Sequence, residues 1–525
     1  MTPMATQSVY HAPQTPWYFS TLVVVLAMVL LPPVGLVLLW MRPGKPGAGL
    51  GRTIAGFTGK LALSALLVIL TLIYLVNLGI LHMEMSGAGW KPIFSFRDPK
   101  SDQDALEQHR AQQAASAPPA AAPATPPAND SSASAATPDT SGAAAAANAA
   151  ATGVAASAAS IPRAYWTDFR GPNRDGIYTE TPLITSWPAG GLKPLWRQPV
   201  GGGYSSFVAA GGTAYTIEQR RDNEVVAAYD IRSGRERWTH GWPAFFQESM
   251  GGDGPRATPT WDNGKLYALG ATGEFRCLDA TTGKVLWQKN ILSDNGASNI
   301  MWGMANSPLV VDDKVIVTPG GSNGRSVVAY NKLTGERIWG ALDDHAAYTS
   351  PMVVQLLGER QLIVVTAARM AGLRVETGEL LWDFPWTTMY EINSAQPIVV
   401  DHEHVFISAG YDHGAALVKI AKSDSGYSAT PVWENRNMKN RFNSSVLHEG
   451  YIYGFDEAIF ACIDARTGER KWKGGRYGYG QVLLVPASSG SASGRSAVSE
   501  SASSGSGSAP AARAVSGPAN LIVIT

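Results

Sequence analysis

Asp279-Ala-Thr-Thr-Gly283-Lys-Val-Leu-Trp287 decides the reading of this chain, because the chain keeps returning to it. Further copies are Asp230-Ile-Arg-Ser-Gly234-Arg-Glu-Arg-Trp238, Asn331-Lys-Leu-Thr-Gly335-Glu-Arg-Ile-Trp339 and Asp464-Ala-Arg-Thr-Gly468-Glu-Arg-Lys-Trp472. A weaker copy, Glu376-Thr-Gly378-Glu-Leu-Leu-Trp382, has Arg374 where the acid belongs, and a degenerate copy ends at Trp433. With Trp196 in front, seven tryptophans follow one another at intervals of 42, 49, 52, 43, 51 and 39 residues. Such a period marks a repeat architecture. Each phrase has a mechanical sense. The Asp or Asn side chain accepts from turn amides, and the glycine supplies the positive φ of a corner. The Trp lies in the next strand, a flat ring able to fill the gap between neighbouring sheets.

A second phrase precedes each corner: a hydroxyl or amide residue, often Pro, then apolar residues. Examples are Thr258-Pro-Thr-Trp261, Ser307-Pro-Leu-Val310, Ser350-Pro-Met-Val353, Gln396-Pro-Ile-Val399 and Ser444-Ser-Val-Leu447. A polar turn and an alternating strand such as Lys265-Leu-Tyr-Ala-Leu269 follow. Four short strands in a period of roughly 45 residues describe the blade of an all-β propeller.

The corner phrase resembles the tryptophan-docking motif of the pyrroloquinoline-quinone (PQQ) repeat family. That family includes quinoprotein dehydrogenases and a non-enzymatic propeller subunit of the outer-membrane β-barrel assembly machinery. The opening Trp166-Thr-Asp-Phe-Arg-Gly-Pro-Asn-Arg-Asp-Gly176, with Trp187-Pro188 and Trp196, is similar to the start of PQQ-binding-like propeller repeat proteins. The resemblance covers about 165 to 485 and implies seven or eight blades. The last is incomplete: Gln481–Val485 reads as its first strand and Asn520–Thr525 as its second, with a low-complexity insertion, 488–518, between them. The strand of Trp196 is expected to join this blade and hide its edge. The chain is then either a truncated product or an imperfectly closed ring.

Ahead of the propeller, expected over 161–525, residues 1–16 form a tail and 17–41 an apolar span kinked at Pro32-Pro33. A second span is expected over 61–82. Residues 42–60 carry Arg42, Lys45, Arg52 and Lys60 and no acid, which places that loop in the cytoplasm. The expectation is a two-pass bacterial inner-membrane protein, held in the bilayer, with its propeller in the periplasm. Residues 83–160, largely Ala, Pro and Ser, read as a disordered linker.

Equal numbers of basic and acidic residues, 42 each, argue against a nucleic-acid partner. The two cysteines, Cys277 and Cys462, occupy equivalent repeat positions too far apart to bridge, and without a CxxC they hold neither haem c nor a paired-cysteine zinc.

The resemblance implies two functions. The family's enzymes hold PQQ on a Trp floor with calcium, use an Asp base, and often carry a disulfide between adjacent cysteines, which this chain lacks. No residue set here matches the calcium ligands or the base, and Asp253, Asp343, Asp344 and Asp412 read as rim residues, so no catalytic residue is named. His402 and His404 share a strand face and form the one close histidine pair, but their repeat position is a polar turn, so no metal is expected.

The favoured expectation is a non-catalytic scaffold binding an envelope protein or a polar ligand, with no cofactor; PQQ and calcium belong to the dehydrogenase alternative. Residues leading into the innermost strands would sit at the channel mouth: Tyr204, Ser205, Arg256, Thr258, Trp302, Asn306, Ser307, Tyr348, Ser350, Asn393, Gln396, Asn443 and Ser444. The other reading of their hydroxyls and amides is that they satisfy local backbone amides. Arg170, Arg174 and Asp175 are expected to clamp the opening segment onto a blade, with a surface contact as the alternative.

Overall fold

A computed structural model describes residues 18, 23–24, 26–27, 32–41, 50–77, 81–85, 92–95, 99–115, 165–179, 187–248, 251–486 and 519–524. The expected tail and the 488–518 insertion lie outside them. The chain forms two compact units, Met1–Lys100 with Gln247–Gly252, and Ser101–Phe246 with Asp253–Thr525.

In the first unit, α1 (Pro32–Met41) and α2 (Leu50–Asn77) precede an antiparallel pair, β1 (His82–Met85) and β2 (Pro92–Ser95). Within α2, Thr58–Leu75 has a mean hydropathy of 2.0, and α2 alone among the described helices is long and apolar enough to cross a membrane. Two expectations need correction. The second helix begins at Leu50 and ends at Asn77, so Arg52 and Lys60 ride on it rather than in a loop, and His82 opens a strand. Of the first span, α1 covers the last ten residues, starting at Pro32, where a missing N–H costs nothing; of residues 17–31 only 18, 23–24 and 26–27 are described. The expected linker also contains structure. β1 and β2 fall at its start, and α3 (Pro99–Ala115) uses Pro99 at its first turn and a run of good helix formers after it. Its Leu106 and Arg110 are buried.

The second unit holds six four-stranded antiparallel sheets in chain order. The first comprises β3 (Val208–Ala210), β4 (Thr213–Arg220), β5 (Asn223–Asp230) and β6 (Glu236–Pro243). The second has β7 (Thr260–Asp262), β8 (Lys265–Leu269), β9 (Glu274–Asp279) and β10 (Val285–Asn290), followed by the short α4 (Ile291–Asn295). The third has β11 (Leu309–Val311), β12 (Lys314–Val317), β13 (Val327–Asn331) and β14 (Arg337–Ala341). The fourth has β15 (Met352–Leu356), β16 (Glu359–Val365), β17 (Arg369–Arg374) and β18 (Leu380–Pro385). The fifth has β19 (Ile398–Val399), β20 (His404–Ala409), β21 (Gly414–Ser423) and β22 (Gly426–Asn435). The sixth has β23 (Val446–His448), β24 (Tyr451–Asp456), β25 (Ile459–Asp464) and β26 (Arg470–Arg476). A seventh contains two strands among the described residues, β27 (Gln481–Pro486) and β28 (Ala519–Ile524).

Six apolar cores form between consecutive sheets. Leu266, Ala268 and Leu278 of the second meet Tyr215, Ile217 and Val226 of the first, and the series continues to Val482 and Leu484 of the seventh against Val446 and Phe455 of the sixth. Middle strands are covered on both faces and are therefore almost wholly apolar, as in the fully buried β12. Each such Leu, Ile, Val or Phe contributes about 1.5–3 kcal/mol. This succession of face-packed sheets is a propeller.

The corners work through the indoles. Trp238 Nε1 donates to the Ala280 carbonyl of the next sheet at 3.1 Å. Trp287 does the same to Lys332 (3.0 Å), Trp339 to Val375 (3.2 Å) and Trp433 to Ala465 (3.2 Å). Trp196 bonds Ile231 of the first sheet at 2.8 Å. At each joint the ring lies on the corner glycine: a Cβ on Gly283 (φ 72°) would run into Trp238. Trp382 differs. The fifth sheet replaces the corner with a long β21–β22 hairpin, and Trp382 instead bonds Gln361 of its own sheet at 2.7 Å. Trp472 is 44% exposed.

The region around Trp196 forms no strand, so it does not close the ring on the seventh sheet. Lys193-Pro194 lies just before it, and its indole is spent on the first sheet's corner. The segment that reaches the seventh sheet is the opening one: Tyr178 N donates to the Leu484 carbonyl at 2.8 Å and Leu484 N to that of Gly176 at 2.9 Å.

Candidate functional site

The hub is built from the hydroxyl and amide residues of the second phrase. Ser206 N donates to Thr258 Oγ1 (3.0 Å), Thr258 N to Ser307 Oγ (3.0 Å) and Ser307 N to Ser350 Oγ (2.8 Å). Ser350 N then donates to Gln396 Oε1 (2.9 Å) and Gln396 N to Ser444 Oγ (3.0 Å). Every link joins the start of one innermost strand to a side chain of the next sheet. These five side chains are buried and engaged. They satisfy backbone amides, but of the neighbouring sheet rather than their own surroundings.

Inside this ring sits the opening segment, residues 165–178. Trp166 pairs with Ala209 of β3, and the Thr167 carbonyl accepts from Trp261 of β7 at 2.9 Å. Tight turns then bring two arginines to the centre, Arg170 at φ 63° and Arg174 at φ 57°. Left-handed backbone at non-glycine residues costs on the order of 1–3 kcal/mol each, and here the side-chain bonds offset it. Arg174, 2% exposed, donates to the carbonyls of Ser307 (3.0 Å), Pro308 and Pro351 (2.9 Å), to Thr260 Oγ1 (3.3 Å) and to Asp168 Oδ1 (3.1 Å). Arg170 donates to the carbonyls of Ser445 (2.9 Å), Ser444 (3.4 Å) and Asp175 (3.2 Å). Burial lowers both guanidinium pKa values, Arg170 to about 10, and raises that of Asp168. The segment therefore engages the first, second, third, fourth, sixth and seventh sheets. It is a central plug, not a clamp on one blade.

Above the hub the loops leading into the innermost strands and those joining second to third strands share one face. Tyr204, Met301, Met389, Tyr390, Phe442 and Tyr477 are exposed there. Arg256 lies 4.6 Å from the Phe246 ring centroid and 5.6 Å from that of Tyr204. Arg441 lies 4.1 Å from Tyr411 and 5.1 Å from both Phe442 and Tyr479. Trp302 and Tyr348 stack at 5.8 Å, and burial pushes the Tyr348 hydroxyl up to about 12. Tyr390, Glu391, Tyr411 and Asp412 all hold positive φ, so two strained turns present two of these tyrosines.

The thirteen mouth residues thus divide. Thr258, Ser307, Ser350, Gln396 and Ser444 hold the hub, and Ser205 Oγ donates to the Ser206 carbonyl. Asn306 and Asn393 tie loops to the carbonyls of Thr318 and Thr366, and both polar atoms of Asn443's side chain are buried without a hydrogen-bond partner. Tyr204, Arg256, Trp302 and Tyr348 belong to the aromatic face. The rim acids have other work: Asp344 pairs with Arg369 (2.8 Å), Asp412 with Arg436 (2.9 Å), and Asp343 accepts from Gly324 N (2.7 Å). His404 meets Asp401 at 2.8 Å. Two features carried no local signal. Arg110 of α3 bonds Glu218 (3.1 Å), and Glu224, buried between the first two sheets, accepts from Ala271 N (2.7 Å) and Trp242 Nε1 (3.0 Å), its pKa raised by burial to about 7.

A family model described as outer membrane protein assembly factor BamB matches residues 221–474. The chain is a PQQ-like propeller repeat protein. Among its relatives, BamB of Bordetella pertussis (strain Tohama I) is 22% identical over 211 residues, 40% of this chain and 49% of the relative. Quinohemoprotein alcohol dehydrogenase of Comamonas testosteroni is 32% identical over 123 residues, 22% of this chain and 16% of that protein. The solved structure of BamB from Moraxella catarrhalis is 19% identical, covers 54% of this chain and 75% of its own, and has a TM-score of 0.37. This propeller repeat protein spans about half of its BamB relative and less than a fifth of the dehydrogenase.

Proposed function

We propose that this propeller repeat protein is a membrane-anchored, non-catalytic scaffold. Two helices hold it in the inner membrane, the propeller faces the periplasm, and the aromatic loop face recruits a protein partner in the cell envelope, in the assembly role named for its BamB relatives. The observation that carries this reading is the plug. Arg174 takes the hub carbonyls of Ser307, Pro308 and Pro351. Those carbonyls, the oxygens a calcium ion would need at the hub, are already taken by a guanidinium, which supports a reading without calcium-bound quinone there. Exposed aromatic and Met side chains beside arginines suit a macromolecular surface.

The test has two arms. The purified protein is incubated with PQQ and calcium and assayed for a bound-quinone absorption spectrum and dye-linked alcohol oxidation; either would overturn the reading. Crosslinking in membranes from aromatic-face positions, Tyr204 and Phe442 replaced by a photoreactive residue, should capture a discrete envelope protein. Capture equal to that from outer-strand positions such as Leu286 would refute the assigned face.

A further inference from the structure

The β1–β2 hairpin of the first unit is a two-stranded sheet, joined to no other strand among the described residues. Two strands alone are marginally stable in water and need a cover for an apolar face. Their register is His82↔Ser95, Met83↔Phe94, Glu84↔Ile93 and Met85↔Pro92. Residues directly opposite one another share a face, and successive pairs alternate between the two faces. Met83, Met85, Pro92 and Phe94 therefore fall on one face, which is wholly apolar. His82, Glu84 and Ser95 fall on the other, with Ile93.

An independent observation fixes where this hairpin begins. The apolar stretch of α2, Thr58–Leu75, is 18 residues long. At about 1.5 Å per residue it spans roughly 27 Å, close to the hydrocarbon thickness of about 30 Å. Beyond the helix the chain folds back on its end: Leu81 N donates to the Leu75 carbonyl at 3.1 Å, and Leu81 is buried. β1 starts at the next residue, His82. The hairpin thus begins level with the last residue of the apolar stretch, the depth at which acyl chains give way to headgroups.

We propose that the apolar face of the β1–β2 hairpin is a lipid-binding surface, seated at the boundary of acyl chains and headgroups on the side of the membrane where α2 ends. Such seating presupposes that α2 spans the bilayer, as the proposed function holds. Lipid supplies the cover that two strands lack, and the face carrying Glu84 meets water. Because the contact is apolar, it does not need anionic lipid. Seated there, the hairpin sets the depth at which α2 ends. This surface is separate from the aromatic loop face and does not depend on it.

The full 525-residue protein is reconstituted into phosphatidylcholine vesicles, with one cysteine introduced at a time by Met83→Cys, Phe94→Cys, Glu84→Cys or, within α2, Ile69→Cys. Cys277 and Cys462 are buried, so an environment-sensitive maleimide dye reacts at the new site, and the unsubstituted protein is the blank. Near-ultraviolet circular dichroism checks that each variant keeps its packing. Labels at 83 and 94 should emit at shorter wavelength. They should lose most of their emission to lipid spin-labelled near the headgroup end of its acyl chain, while the label at 84 keeps its own. Equal quenching at 83 and 84, or none at 83, overturns the proposal. A shielded but unquenched label at 83 also does, because the occupant is then protein. Quenching should be the same with and without phosphatidylglycerol in the vesicles; dependence on it would assign the contact to headgroup charge and overturn the apolar face. The label at 69 separates the two readings. When lipid spin-labelled at the end of its acyl chain quenches it, the span stands and failure at 83 counts against the hairpin alone. When it does not, α2 does not cross the membrane and both readings fall.

Discussion

Replacing Arg174 by Met keeps most of the side chain's volume and removes its charge, which isolates what the guanidinium does at the hub. Arg174 faces one carboxylate, Asp168, at 3.1 Å, and three backbone carbonyls of two different sheets. Removing one member of a buried pair leaves the other charge uncompensated, at about 3–5 kcal/mol. The orphaned carbonyls add to this unless water reaches them. With a urea slope of about 3 kcal/mol/M, the midpoint should fall by roughly 1–1.7 M. The assay is urea unfolding of the detergent-solubilised protein, followed by near-ultraviolet circular dichroism. A second variant makes the reasoning refutable. Asp168→Asn with Arg174→Met removes the stranded charge, so the double variant should regain part of the loss and be more stable than Arg174→Met alone. The pH dependence has a definite sign. Burial raises the Asp168 pKa, so the folded state holds a proton the unfolded state releases, and stability falls as pH rises past the unfolded value near 4. Arg174→Met should therefore recover stability on acidification. A midpoint within experimental error of wild type, or a double variant no better than the single, would refute the account of the hub.

Glu224, with a folded pKa near 7 against an ordinary 4.5, should subtract about 3 kcal/mol of stability as pH climbs from below 4.5 to above 7. Glu224→Gln should flatten that part of the curve, measured by unfolding at pH 5 and pH 8; parallel curves would sink the assignment. Trp287→Ala should cost about 3–5 kcal/mol, because its ring covers a corner, whereas Trp472→Ala should cost about 1 kcal/mol or less in the same unfolding assay. Arg110→Ala should free α3 from the first sheet, seen as faster proteolysis within 99–115 with the propeller's melting unchanged.

Much of the architecture was legible because corners need particular residues. Gly283 at φ 72° and the Asp279 side chain, which accepts from Thr281 and Thr282 amides, are local requirements that leave a local trace. The fifth sheet's exception was foreshadowed in the same way, by the missing Asp-Gly phrase before Trp433. The hydroxyl residues were picked out at the correct positions, but their bonds run to the next sheet, which no single repeat displays. The opening segment was read as a clamp on one blade, and its reach across six sheets left no local trace. Arg174 bonds carbonyls that any residue could supply, 133 and 177 positions away, so nothing nearby says which sheets it joins. The ionic contact between Arg110 and Glu218 spans 108 positions, and the surrounding Ala and Pro residues masked the helix that carries it. Helix α2 starts earlier than hydropathy implied, because a helix can begin outside its apolar stretch when the flanking residues, here Arg52 and Lys60, permit it.

The plug also sets an order of events during synthesis. Arg170 is among the first propeller residues made, yet one of its acceptors, the Ser445 carbonyl, follows 275 residues later. At ribosomal rates of about 5–20 residues per second, that is a wait of roughly 14–55 s. The earliest part of the propeller must therefore remain unseated until nearly the last has emerged, and the segment that threads the middle of the wheel is the one the finished molecule locks last.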